Sequence, residues 1–210
     1  PASAAYKGLD VARFDGTNMM PYDGTFLAGT DYTILIVGGR SNSSASFLIY
    51  GGESGTNKNL HLGYSANTTM IFNQYGNDLN VTVPGYTTTE LSVIGAKLDT
   101  TSGLSLSLDN VVIGSNTNTA PLVSSNLSTL GGFVSSSKFN GDIAEVLMFS
   151  KALTPTEMDA VQTYLGSKWG LDSDGDGVLD DLDAFPNDPT QIASAVRPMG
   201  LEAVSGNIRV

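Results

Sequence analysis

The chain has 210 residues, 40% of them apolar, and a formal charge of −11 with only ten Lys and Arg. That length holds one sizeable core with an appendage, and so few scattered cations exclude a phosphate-tracking basic surface and with it nucleic-acid binding. No apolar run approaches the roughly 18 residues of a bilayer span, and the absence of cysteine excludes disulfides and thiolate metal sites.

The charge is uneven. Seven aspartates fall within "LDSDGDGVLDDLDAFPNDP" (residues 171–189), which leaves −4 on everything else. Twenty-four Gly, with abundant Ser, Thr and Asn, predict an all-β protein of short strands and polar turns. The N-terminal "PASAAYKG" lacks the charged and apolar regions of a signal peptide. The chain reads as a monomeric piece of a longer, multi-modular protein, with no inserted membrane segment.

In chain order, "DYTILIVGGR" (31–40) and "SASFLIYGG" (44–52) have the β-branched character of buried strands and are expected to form a hairpin across a Ser/Asn turn. "NLHLGYS" and "TMIFNQYG" alternate around "ANTT". "LNVTVPGY", "ELSVIGAKLD", "LSLSLDNVVIG" and "FNGDIAEVLMFS" follow. Leu104, Leu106 and Leu108 share one face and Ser105 and Ser107 the other, the period of two of a half-buried strand. About ten strands at this spacing predict a two-sheet sandwich.

"ALTPTEMDAVQTYLGSKWGL" breaks the pattern. Thr154 reads as an N-cap, Pro155 as the first helical residue and Glu157 as the partner of a capping box. Met158, Val161, Leu165 and Trp169 recur at helical spacing and Gly170 ends the run, so one amphipathic helix is expected over 155–169. Trp169 is read as core.

Residues 139–171 resemble the last strand and closing helix of laminin-G-like, concanavalin A-like jelly-roll modules. "VARFDGTNMM" and "GTDYTILIVGGR" are similar to the opening strands of such modules. The resemblance covers about residues 8–171. It implies two antiparallel sheets, loops clustered at a rim, and binding as the activity. The expected division is a ligand-binding sandwich over 1–171, a calcium-binding extension over 172–190 and a linker or tail over 191–210.

The extension has the register of an EF-hand-like loop. Asp172, Asp174 and Asp176 take positions 1, 3 and 5, Gly177 position 6, the Val178 carbonyl position 7, Asp180 position 9 and Asp183 position 12. Calcium needs six to eight oxygens, alternate carboxylates wrap one ion, and Gly allows the sharp turn. Without a cation, so many carboxylates would repel one another. The segment is similar to a thrombospondin type 3 repeat, which implies a second ion with Asp181, Asn187 and Asp188 among its ligands. It also implies an extracellular, cell-surface address.

Little in the sandwich looks catalytic. The single histidine, His61, excludes a three-histidine zinc site, and Asp142 and Glu145, three apart in a strand, are expected to face opposite sides. The glycine pairs open no helix, so none is a phosphate loop. No enzyme is expected. The candidate ligand site is the rim segment "FNQYGNDLN" (72–80), where Gln74, Tyr75, Asn77 and Asp78 gather polar oxygens, with Gly51, Gly52 and Tyr64 (and Tyr50) on neighbouring strand ends.

A sandwich joined to a type 3 repeat resembles the peptide-binding domain of long calcium-dependent bacterial adhesins. That resemblance implies a rim calcium, held here by Asn77 and Asp78, that grips the end of a peptide or protein on another cell, for adhesion or biofilm formation. A glycan-binding accessory module of an adhesin or secreted polysaccharide-degrading enzyme is the alternative, and a structural spacer the third. Aromatics flanking a polar groove would favour the glycan; an open rim calcium would favour the peptide.

Overall fold

The computed structural model describes residues 2–42, 44–51, 53–66, 68–83, 90–123, 128–133 and 137–172, and positions 179, 183, 185, 190 and 191. Among them are thirteen strands: β1 (Ala2–Tyr6), β2 (Leu9–Asp15), β3 (Met20–Tyr22), β4 (Tyr32–Arg40), β5 (Ser46–Tyr50), β6 (His61–Ala66), β7 (Thr69–Asn73), β8 (Asp78–Thr82), β9 (Ser92–Asp99), β10 (Gly103–Leu108), β11 (Val111–Ser115), β12 (Ser128–Leu130) and β13 (Asn140–Phe149). One α-helix, α1 (Pro155–Trp169), follows. The strands form two antiparallel sheets. One has seven strands in the order β1-β2-β13-β4-β9-β10-β11; the other has six in the order β3-β12-β5-β6-β7-β8.

Two apolar layers result. Ile34, Ile36, Leu48, Leu62 and Phe72 belong to the layer between the sheets. Leu35, Val37, Leu165 and Trp169 belong to a second layer, between the seven-stranded sheet and α1. All nine residues of β4 are therefore buried, which is why its sequence is a near-continuous apolar run instead of an alternation.

The expected hairpin of 31–40 with 44–52 is corrected. β4 pairs with β13 and β9, whereas β5 pairs with β12 and β6 in the other sheet. A strand buried on both faces is satisfied by central neighbours, and the chain passes to the other sheet between Arg40 and Ser46. The Asn42 side chain accepts from the Ser44 amide at 3.0 Å in that crossing. The β6–β7 pairing is as the alternation suggests.

The helix follows its signals closely. The Thr154 hydroxyl accepts from the Glu157 amide and the Glu157 carboxylate accepts from the Thr154 amide, completing the capping box. Gly170 closes the helix in the left-handed region at φ 58°. The Lys7 ammonium donates to its carbonyl.

A second correction concerns β13. Its register against β4 shifts between Ile143 and Glu145, and this bulge brings Asp142 and Glu145 to the same, helix-facing side. Both are committed to structure. Asp142 accepts two bonds from Arg13, each 2.8 Å. Glu145 accepts from Trp169 Nε1 at 2.7 Å and Tyr164 Oη at 2.9 Å, with Lys168 Nζ 3.0 Å away. These donors outweigh partial burial and hold the Glu145 carboxyl below its ordinary range.

Glu145→Ala leaves the buried Trp169 N–H unpaired and is expected to cost about 1–3 kcal/mol. Urea unfolding measures this, and a loss below about 0.5 kcal/mol would show that the carboxylate does not anchor the helix.

Candidate ligand-binding site

The solvent face of the six-stranded sheet carries the candidate site. Cross-strand register sets Thr129 opposite Tyr50, Tyr50 opposite His61, His61 opposite Asn73 and Asn73 opposite Asp78. The interior residues Ile49, Leu62, Phe72 and Leu79 sit next to them in the chain. Strand alternation therefore turns this rung outward.

The rung is aromatic at one end and polar at the other. Tyr50 stacks on His61 with ring centroids 4.5 Å apart and 15° between planes, and lies 4.3 Å from Phe133 on its other side. Phe47 packs against both, at 5.4 and 5.3 Å. None of these four rings belongs to either apolar core layer, and all four are half-buried. Tyr50 is flanked on both faces, so a ligand meets ring edges and outer rings. Beyond His61 come the Asn73 amide and the exposed Asp78 carboxylate. One rung inward, Gly63 lies between Phe47 and Ile71, where a side chain would collide with the β5 backbone.

Two loops close this end of the sheet. In the 74–77 turn Tyr75 (φ 50°) and Gly76 (φ 81°) both take positive φ. The Gln74 amide donates to the Asn77 carbonyl at 3.0 Å, and the Asn57 amide donates to the Gln74 carbonyl at 2.8 Å. The Asn77 side-chain amide donates to Asn57 Oδ1, which ties this turn to the 51–60 loop.

Several expected ligand residues turn out to be internal. Gln74 is fully buried: its carbonyl accepts from Tyr32 Oη at 3.1 Å and its amide donates to the Ala120 carbonyl at 3.0 Å. Tyr64 is 1% exposed, and its ring lies 4.2 Å from the Arg40 guanidinium. Both are corrected to structural residues. Gly51 is buried and donates to the Leu60 carbonyl at 2.8 Å, and Gly52 lies outside the described residues. Tyr75, 45% exposed, and Asp78 do face solvent. Among the described residues no three His, Asp or Glu gather closely enough to hold a metal, and Asp78 belongs to no such group.

Sequence reasoning missed Phe47, His61, Phe133, Asn59 and Asn73. The available signal was that Tyr50 and His61 bracket a single loop. Asn59, 1% exposed, donates from Nδ2 to Tyr50 Oη at 3.1 Å and fixes that phenol, while its Oδ1 has no partner. His61 Nε2 is likewise buried and unpartnered. Burial pushes the imidazole below its ordinary value of 6.5, with the Asp78 carboxylate pulling weakly the other way.

In the extension, Asp174, Asp176, Val178, Asp180, Asp181, Asn187 and Asp188 lie outside the described residues, as do 192–210. Asp172 and Asp183 are described. Asp183 is only 7% exposed. Its Oδ1 accepts from the Phe185 amide at 2.8 Å, and its Oδ2 is buried without a hydrogen-bond partner.

No protein-family model matches the chain, and no curated protein matches it. Solved structures do. Domain 4 of AbnA, a GH43 extracellular arabinanase from Geobacillus stearothermophilus solved with arabinotriose, is similar at TM-score 0.58 and 18% identity, over 74% of this chain and 78% of that one. The CBM40 of the Ruminococcus gnavus IT-sialidase is similar at TM-score 0.56 and 18% identity, over 72% and 96%; it has also been solved bound to α2,3 sialyllactose. A heptameric SAP-like pentraxin from Limulus polyphemus is similar at TM-score 0.54 and 10% identity, over 68% and 76%. The shared feature is the jelly-roll, concanavalin-like sandwich, as expected of an all-β chain with this strand spacing.

The depressed His61 value has a signed consequence. As pH falls below 6.5, the unfolded chain takes up a proton that the folded site resists, so stability declines until the folded value is passed and then levels off. Unfolding free energy is expected to drop as pH falls through 6.5. His61→Gln is expected to remove that component; an unchanged slope in the variant would assign the effect elsewhere. The acceptors Asp99 and Glu157, both held down to about 2 by hydrogen bonds, act in a separate, more acidic window.

Proposed function

We propose that this chain is a non-catalytic glycan-binding module, with its ligand on the solvent face of the six-stranded sheet along Tyr50, His61, Asn73 and Asp78. The observation that carries the reading is the aromatic block of Phe47, Tyr50, His61 and Phe133 running directly into an amide and a carboxylate. Sugars have apolar C–H faces that pack on rings and hydroxyls that both donate and accept, and this rung offers both surfaces in sequence. Arabinotriose and α2,3 sialyllactose in two neighbours of the same fold lend support to the glycan over the peptide.

The peptide-end reading is set aside, because its rim calcium has no set of carboxylates to hold it among the described residues. The non-catalytic reading rests on the carboxylates themselves. Asp142 and Glu145 are spent on Arg13 and on α1, and the lone histidine is stacked and buried at Nε2. A general acid and base within reach of one substrate bond is not assembled from these.

The extension is proposed to bind calcium through Asp172, Asp174, Asp176, the Val178 carbonyl, Asp180 and Asp183. Its fit rests on Asp183, whose buried, unpartnered Oδ2 is the kind of acceptor a cation satisfies. The ion would supply rigidity to the junction, not chemistry. Oxygen-only loops of modest affinity fill at the millimolar calcium found outside cells, which supports a secreted or cell-surface protein with this module as its recognition unit.

A glycan array is expected to find at least one bound oligosaccharide, and Tyr50→Ala and Asp78→Ala to weaken it by tenfold or more, about 1.4 kcal/mol, with the circular dichroism unchanged. An array with no bound glycan would end the reading. Chelation is expected to expose residues 172–190 to proteolysis while glycan affinity stays within about twofold. A parallel loss of affinity would show that calcium and recognition share one site.

A further inference from the structure

The six strands that form the candidate face contain one formally charged side chain, Asp78. We infer that the ligand of this face is an uncharged oligosaccharide, and that sugars bearing carboxylate or sulfate are rejected. The inference rests on the glycan reading above and narrows its ligand class.

Recognition of an acidic sugar calls for a cation in the site, and above all for the planar fork of an arginine, which meets a carboxylate with two parallel hydrogen bonds. Residues 1–171 contain two arginines and six lysines, and their uses can be followed. Arg13 is bound to Asp142 on the helix side of the seven-stranded sheet. Arg40 is 2% exposed and lies over the interior Tyr64 ring. Lys151 and Lys168 pair with Glu157 and Glu145 at α1, Lys7 donates to Gly170, and Lys97 belongs to β9 of the other sheet. Lys138, beside Phe47, donates to the Thr17 carbonyl at 2.8 Å.

That leaves Lys58, exposed in the 51–60 loop, which also carries Glu53. With Asp78 at the start of β8, the rim at this end has one cation against two carboxylates, and Lys138, held by the Thr17 carbonyl, lies at the β5 end, three strands from Asp78. The residues of 1–171 outside the described set hold no charged side chain, so they do not alter the count.

The remaining ionisable group on the rung does not reverse it. His61 is stacked on Tyr50 with Nε2 buried and unpartnered, a placement that disfavours the imidazolium an anion would need. An acidic sugar would therefore leave solvent to meet Asp78, with like charges a few ångströms apart and no compensating donor fork. A neutral sugar meets none of this. Its hydroxyls donate to Asp78 and bond either way with the Asn73 amide, while its apolar faces lie against the rings.

Calorimetric titration of the full chain with neutral pentose and hexose oligosaccharides, and with uronate oligomers and sialyllactose of matched length, tests this. Neutral ligands are expected to bind, with acidic ones at least tenfold weaker at about 0.15 M salt and the gap narrowing as salt rises. Asp78→Asn is expected to close part of that gap by strengthening acidic binding. Equal or tighter binding of the acidic series would overturn the inference while leaving the glycan reading intact. No binding in either series would instead overturn the glycan reading itself.

Discussion

Strand β4, in the middle of the seven-stranded sheet, has apolar cover on both faces, and the placement of the candidate site follows from that constraint. Ile34 and Ile36 of β4 pack toward the six-stranded sheet while Leu35 and Val37 pack toward α1. Burial of this kind is worth roughly 1.5–3 kcal/mol for each such side chain. The sheet is therefore consumed as the middle of a three-layer stack. Its carboxylates go the same way: Glu145 collects the indole, phenol and ammonium of Trp169, Tyr164 and Lys168 and so fastens the helix. The aromatic rung lies elsewhere, on the outer side of the six-stranded sheet.

Charge is sorted by the same architecture. Outside the sandwich, seven aspartates crowd residues 171–189, and Asp183 buries an unpartnered oxygen there. Within the six-stranded sheet, strands of Ser, Thr, Asn and aromatic residues carry Asp78 alone. A strongly acidic extension and a nearly neutral sheet face have different chemistry, and this separates calcium from ligand in the proposed account. The acidic chain as a whole also repels polyanions at long range, though screening confines that effect to about 8 Å at physiological salt.

Local signals in the sequence carried well into the structure, and non-local ones did not. The capping box of Thr154 and Glu157 and the stop at Gly170 are contained within the helix itself, so its bounds were legible. Leu104 and Leu106 face inward as alternation implies. The pairing of β4 with β13 is a contact over a hundred residues apart, and the adjacency of two apolar runs suggested a hairpin in its place. The bulge after Ile143 inverted the expected relation of Asp142 and Glu145 for the same reason: nothing local in "GDIAEV" announces it. Tyr64 and Gln74 read as surface residues because their type allows it, yet a ring under Arg40 and an amide between Tyr32 and Ala120 serve the interior equally well. The aromatic rung draws on three different segments, and only register brings Phe133, Tyr50 and His61 into line.

The central claim is that recognition occurs on this one face. Its most direct test is a nuclear magnetic resonance titration of the labelled chain with a neutral oligosaccharide that binds it. The account predicts shifts confined to Phe47, Tyr50, His61, Asn73, Asp78 and the flanking 51–60 and 74–77 loops, with α1 and β9 silent. Saturable shifts centred on α1, on the seven-stranded sheet or on the acidic extension, with Tyr50 and His61 unmoved, would contradict it.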